Sequence, residues 1–233
     1  MRRTVFICPT GRLKRLHMIM KCNESRRFFL GSFLFVTHTW EQRKLGEVCS
    51  TFTDGDWIES KDQSSSGIRL LQTGNVGVNE FIDKSDKAKW VSEGTFLRLK
   101  CTEVFPNDIL ISRLPEPAGR ACIVPEIGQK MITAVDCTIA KTAANCSGKF
   151  LVQYLSSGDY FNEVNDFLAG GTRQRISRSN LANFVVPIPS EKTEQDKIGE
   201  LLGQIDHLIT LHQRELCDSK NKRIFGGKPC RVK

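Results

Sequence analysis

The chain has 233 residues, 39% of them hydrophobic, with a formal net charge of +8, so it is long enough to bury one core or two small ones. The positive charge lies in the two ends. Residues 1–39 carry eight Lys/Arg against one acid and residues 219–233 carry six against none, so residues 40–218 hold twenty bases and twenty-five acids. Global charge therefore gives no general argument for nucleic-acid binding, and any such argument must rest on local patches.

Nine cysteines (Cys8, Cys22, Cys49, Cys101, Cys122, Cys137, Cys146, Cys217, Cys230) are scattered, with no C-x-x-C pair and no nearby histidine. That spacing argues against a disulfide framework and a structural zinc site, and fits the reduced, buried cysteines of a cytoplasmic protein. In the basic N-terminal segment, Ser25-Arg26-Arg27-Phe28-Phe29-Leu30 has the look of a twin-arginine export signal. The arginines lie far from Met1, the apolar run to Val36 is short, and no A-x-A site follows before Trp40, so export is the weaker reading. The run is also far below the ~20 residues that span a bilayer.

From Trp40 the texture is that of a folded domain. Trp40–Val48 reads as a short amphipathic lead-in and Asp54–Ile58 as a tight Asp-Gly turn. Ile68–Gln72, Phe96–Leu99, Ile109–Ser112, Ala121–Val124, Met131–Ala134 and Cys137–Ala140 read as strands. Thr73–Gly77 is a polar glycine-marked loop, and Arg113–Arg120 a proline-framed one. Beyond Ser147 the period turns helical, first over Phe150, Leu151, Tyr154 and Leu155, then over Phe161, Val164, Phe167 and Leu168. An arginine-rich loop with Arg173, Arg175 and Arg178 leads to the apolar strand ending in Pro187-Ile188-Pro189.

Ser190 is placed to cap the helix that follows, with Glu191 and Glu194 in its first turn where the helix dipole favours acids. Ile198, Leu202, Ile205, Ile209, His212 and Leu216 are spaced four, three, four, three and four apart, and Leu201 and Leu208 widen the stripe. That seam suits pairing with another helix, although packing on the chain's own core would produce a similar pattern. The reading is a mixed α/β (α+β) fold with four parts. Residues 1–39 form a basic segment, 40–189 a β-rich domain, 190–218 a coiled-coil-forming helix and 219–233 a basic tail.

Four stretches in fixed order resemble the specificity subunits of type I restriction–modification enzymes. They are Trp40-Glu41-Gln42-Arg43-Lys44-Leu45-Gly46, Gly171-Thr172-Arg173-Gln174-Arg175-Ile176, Val186-Pro187-Ile188-Pro189 and Glu194-Gln195-Asp196-Lys197-Ile198. The resemblance implies a target recognition domain that reads half of a bipartite DNA site, followed by a conserved spacer helix. It implies as partners double-stranded DNA, an adenine methyltransferase subunit and a restriction subunit. S-adenosylmethionine, ATP and magnesium would then belong to those subunits. Full-length members carry two domain-plus-helix units whose helices pair antiparallel, whereas this sequence holds one and resembles half a subunit or a truncated form. A second copy of the chain could complete the pair.

Catalytic elements are missing from the sequence. Asn165-Asp166-Phe167-Leu168 lacks the prolines of an adenine methyltransferase motif, and Gly226-Gly227-Lys228-Pro229 is not a phosphate-cradling loop. Glu59-Ser60-Lys61 is a lone E-x-K on which a stand-alone nuclease could be built, and a coiled-coil interaction protein without DNA specificity is a third reading. For DNA reading, the forked donors and amides are Gln72, Thr73 and Asn75, Arg113 and Arg120, and Arg173, Arg175 and Arg178. Each also has a local alternative, such as closing its own turn or, for Arg173, anchoring the domain to its helix.

Overall fold

The computed structural model describes residues 39–168 and 174–225, with side chains as far as residue 215. The twin-arginine stretch, Arg173 and the side chain of Leu216 lie outside the described residues. The architecture is mixed α/β. Strands β1 (Trp40–Lys44), β2 (Cys49–Asp54), β3 (Gln63–Ser64), β4 (Ile68–Leu71) and β5 (Lys89–Val91) precede the short helix α1 (Glu93–Leu99). Then come β6 (Glu103–Val104), β7 (Ile109–Ser112), β8 (Ala121–Ile123), β9 (Met131–Thr133) and β10 (Cys137–Thr142). Helices α2 (Gly148–Tyr154), α3 (Gly158–Asp166) and α4 (Arg178–Asn183), strand β11 (Val185–Pro189) and the long helix α5 (Lys192–Phe225) complete the chain.

Three sheets form, ordered β1-β11, β2-β10-β7-β8 and β3-β5-β4-β9-β6. Strand alternation explains why the apolar runs in the four-stranded sheet are unbroken, because both faces of it are covered. Ile109 and Ile111 of β7 point into a cluster with Phe150, Leu151, Tyr160 and Ile188. Leu110, between them, joins Leu71, Met131, Cys122 and Ile139 on the other face. All four β7 residues are buried.

The entrance and exit of the domain are zipped together. Strands β1 and β11 pair antiparallel from Trp40↔Pro189 to Lys44↔Val185, and the Trp40 ring meets Phe150 edge-on at 5.9 Å. The Trp40–Val48 lead-in is thus a strand and a turn, which tuck Leu45 and Val48 into the core.

Phe96–Leu99 is helical, not a strand. Ser92 caps the helix by accepting the Thr95 N–H at 3.1 Å. Phe96 and Leu99, three apart, pack with Ile68, Leu70 and Val91 while Leu97 faces solvent. A spacing of three on one face outranks the alternation suggested by four residues. Helix α4 was not foreseen, being only six residues long and capped by Ser177.

Helix α5 spans 34 residues, about 50 Å at ~1.5 Å per residue, and runs beyond the expected end at residue 218. Ser190 is not its cap. The Ser190 N–H bonds to Thr39 O, and the Glu191 carbonyl accepts the N–H groups of Glu194 and Gln195. The first turns of α5 are fastened to the domain. Gln195 is buried, accepting the Ser147 N–H at 2.7 Å and donating to Pro189 O at 2.8 Å and Asn145 O at 3.1 Å. Lys149 pairs with Glu200 at 2.9 Å.

Gly199 sets how closely α5 approaches α2. A Cβ on it would lie 2.7 Å from Phe150 N and 2.8 Å from Lys149 C, both backbone atoms. Gly199→Ala should therefore lower stability by about 1–3 kcal/mol through overpacking, outweighing the roughly 1 kcal/mol that alanine adds in an unconstrained helix. Urea unfolding of the two proteins checks this, and a more stable alanine variant would contradict the close approach.

Candidate nucleic-acid interface

Strand registers gather distant loops at one end of the two larger sheets. Ser112 at the end of β7 pairs with Cys137 at the start of β10, and Asp54 at the end of β2 pairs with Thr138. The start of β8 lies opposite the end of β7 through Ile111↔Ala121. In the other sheet β4 and β9 run parallel and end together at Leu71↔Thr133. Segments 55–57, 72–77, 113–120 and 134–136 therefore emerge side by side. The 174–177 segment joins them where the Ile176 N–H bonds to Arg113 O at 3.1 Å. Gln72, Thr73, Asn75, Arg113, Arg120 and Arg175 thus share one rim, and Arg178 follows two residues after Ile176.

Within that rim the side chains divide by what they bond. Arg120 donates to four backbone carbonyls: Nε to Val76 O at 2.6 Å, Nη1 to Leu114 O at 2.8 Å and Pro117 O at 2.9 Å, and Nη2 to Thr73 O at 2.9 Å. It clasps the 73–76 turn to the proline-framed loop. Asn75 is also turned inward, its Oδ1 accepting the Gln72 N–H and its Nδ2 donating to Ile82 O, each at 2.9 Å. Arg113 is buried. Its Nη2 donates to Val135 O, and its Nε lies 3.4 Å from Asp54 Oδ1, close enough for charge pairing but off the line of a hydrogen bond. Burial pulls the pKa of both guanidiniums below the usual arginine value, and Asp54 opposes this at Arg113; both remain cationic at neutral pH.

Arg175 and Arg178 are exposed. Arg175 Nη2 pairs with Asp136 Oδ1 at 3.0 Å, a partner that is itself partly open to solvent. Arg178 starts α4 on the outer surface. Gln72 and Thr73 are half-buried on the rim. Sequence reasoning missed two neighbours of theirs. Lys84 lies against Gly74, its Nζ 2.5 Å from where a Cβ would be. Trp57, on the short segment after β2, is 70% exposed.

The nuclease constellation does not assemble. Glu59 and Lys61 sit on an exposed turn and pair with each other at 2.8 Å. The nearby carboxylate of Asp62 is held by Arg98 at 2.6 Å. Among the described residues no group of three or more His, Cys, Asp or Glu is arranged to hold a metal ion. The described cysteines are all free, and burial raises Cys49 and Cys122 to about 12 and Cys101, Cys137 and Cys146 to about 11. They are protonated and unreactive at neutral pH.

The proposed pairing face on α5 is also divided. Ile198 packs against the domain core, Leu202 is buried in it, and Ile205 and Ile209 lie at the border. His212 is exposed, with Nδ1 3.9 Å from Glu215. The open apolar stripe consists of Leu201, Leu208 and Leu211, edged by Ile205. Leu202 thus belongs to the intramolecular contact, and Leu201 and Leu208 take its place on the outward face. No described helix is long and apolar enough to cross a membrane.

Arg120 provides the test of the rim's construction. Arg120→Ala removes four hydrogen bonds, although Thr73 O keeps the Val76 N–H and Leu114 O the Ser112 hydroxyl, and should cost about 2–3 kcal/mol, a fall in Tm of roughly 4–12 °C for a domain of this size. Arg178→Ala, on the surface, should leave Tm within a degree or two. Equal melting of the two variants would contradict the clasp.

Comparisons with known proteins agree with this architecture. The chain is similar in fold to a chain from the structure on complex assembly and conformational transition of the type I R-M system (TM-score 0.61, 19% identity, 91% of this chain and 49% of that one). It is similar also to the HsdS subunit from Thermoanaerobacter tengcongensis (0.59, 19%, 88% and 46%) and to the type I restriction–modification S subunit from M. genitalium (0.53, 17%, 83% and 45%). The chain therefore spans about half the length of these proteins. No curated protein matches it in sequence. Residues 37–218 match the model of the type I restriction modification DNA specificity domain, and the chain belongs to that family.

Proposed function

We propose that this chain is a non-catalytic DNA-reading subunit of a type I restriction–modification system, and that the rim formed by the 72–77, 113–120 and 174–178 segments is the surface that meets the duplex. The observation that carries the reading is the convergence, at one end of two sheets, of donors separated by about a hundred residues in sequence. Arg175, Arg178, Gln72 and Thr73 supply the outward contacts, with Lys84 and Arg178 suited to phosphates and Arg175 and Gln72 to base edges. Arg113, Arg120 and Asn75 act at one remove, holding the loops in place. Arg173 completes the arginine set in sequence. The partners are double-stranded DNA, a methyltransferase subunit and a restriction subunit, and S-adenosylmethionine, ATP and magnesium are bound by those subunits. Such a complex works in the cytoplasm.

Pairing of α5 through Leu201, Ile205, Leu208 and Leu211 with a second helix, in a second copy of the chain, would bring two rims into one particle. In the full chain, light scattering should then report a dimer that Leu201→Glu combined with Leu208→Glu converts to monomer. A monomer for both proteins at micromolar concentration would contradict the pairing.

Purified chain, alone and with a type I methyltransferase subunit, should retard some duplex sequences in preference to others at moderate salt. Arg175→Ala and Arg178→Ala should each weaken binding by about 1–3 kcal/mol, roughly 5- to 150-fold. Of the two, Arg178→Ala should lower affinity for all sequences alike and reduce the salt slope by about one. Uniform affinity for all duplexes would contradict sequence reading.

A further inference from the structure

Among the described residues of the rim Trp57 is the one large aromatic, and it is displayed rather than buried, with 70% of its surface open. The backbone beneath it is fixed on both sides. The Gly55 N–H bonds to Cys137 O and the Asp56 N–H to Thr133 O, both at 2.9 Å. Gly55 is pressed so closely that a Cβ would lie 2.4 Å from Thr133 O. Asp56 bridges to Ala134 and its carboxylate accepts the Thr102 N–H at 2.9 Å. Ile58 packs beside the cluster of Ile68, Leu70 and Val91. With Asp56 and Ile58 tied to the fold, extended-chain alternation sends the side chain between them outward.

The indole itself is oriented. Its Nε1 donates to Glu59 Oε1 at 3.4 Å, and Lys61 neutralises that carboxylate at 2.8 Å. Of the other rim carboxylates, Asp54 is paired with Arg113 at 3.4 Å and Asp136 with Arg175 at 3.0 Å, and Asp56 is turned to the Thr102 N–H. Three of the rim carboxylates thus carry a cation beside them, and an apolar plate on a rigid support is the prominent feature at Trp57. Such a plate loses little conformational freedom on binding and suits contact with sugars and with apolar base edges such as the thymine methyl group.

We propose that Trp57 is a DNA-contacting and specificity-determining residue, whose indole packs against the bases of the duplex beside those met by Arg175 and Gln72. This rests on the DNA-reading function proposed above. It requires nothing of the indole's neighbours that the unbound structure does not already provide.

The test uses the full chain and a duplex selected by it from a pool with randomised central positions. Binding of that duplex should quench tryptophan emission, and Trp57→Phe should abolish most of the quench while retaining binding within a few-fold. Trp57→Ala should weaken binding of the selected duplex by roughly tenfold, in the range that loss of a buried aromatic contact produces, and relax the selected sequence at one or two positions. Thermal melting should be unchanged in both variants. If Trp57→Ala binds and selects as the wild type does, with the emission unaltered on binding, the proposal for Trp57 is overturned and the DNA-reading function stands. If the wild-type chain itself selects no sequence from the pool, the function on which the proposal rests falls with it.

Discussion

Four of the five N–H donors of Arg120 are engaged by backbone carbonyls from two loops, and the shape of the rim depends on that clasp. A neutral side chain could not replace it, because only the guanidinium offers forked donors wide enough to meet carbonyls 44 to 47 residues away in sequence on one side and three to six away on the other. The loops so held are too polar and proline-rich to pack by burial alone. Arg113 does similar work a short distance off, joining β7 to the 134–136 turn while Asp54 balances its charge. Interior cations thereby shape a surface on which Arg175, Arg178 and Gln72 are presented.

The second constraint is closure at the domain's neck. Because β1 pairs with β11, the chain enters and leaves the domain at one place, and α5 departs from that place with its first turns bonded through Gln195 and pressed close at Gly199. The domain and the start of the helix are mechanically continuous. The rest of the helix carries its own open apolar stripe, at Leu201, Leu208 and Leu211. An element that is anchored at one end and apolar on its free face is suited to set a distance between the domain and whatever binds that face.

Much of this was legible in the sequence where local rules decide. Runs such as Ile109–Ser112 read as strands because they are short, apolar and bounded by turn residues, and a doubly covered sheet buries all four residues; the 3.6-residue period of Phe150 to Leu155 marked a helix. The order of the Trp40, Gly171, Val186 and Glu194 stretches carried the family likeness, which the match over residues 37–218 established. Where tertiary partners decide, local reading failed. Phe96–Leu99 became a helix because Ser92 caps it and two of its residues share one cluster. Arginines in loops look alike in sequence, and only the fold separates Arg120, bonded to carbonyls, from Arg178, facing water. Leu202 and Leu201 are adjacent and chemically identical, yet the position of α2 gives one to the core and the other to the surface. Trp57 carried no pattern of its own, since its meaning comes from the bridge that ties its neighbour Asp56 to Ala134.

The central claim is that one end of the β2-β10-β7-β8 sheet, and not the other, meets DNA. Hydrogen exchange of the full chain with and without a selected duplex measures it directly. Protection gathered in residues 54–57, 72–77, 113–120, 134–136 and 174–178 is the predicted result. Protection centred instead on the opposite end, in residues 105–108 and 124–130, would contradict the account.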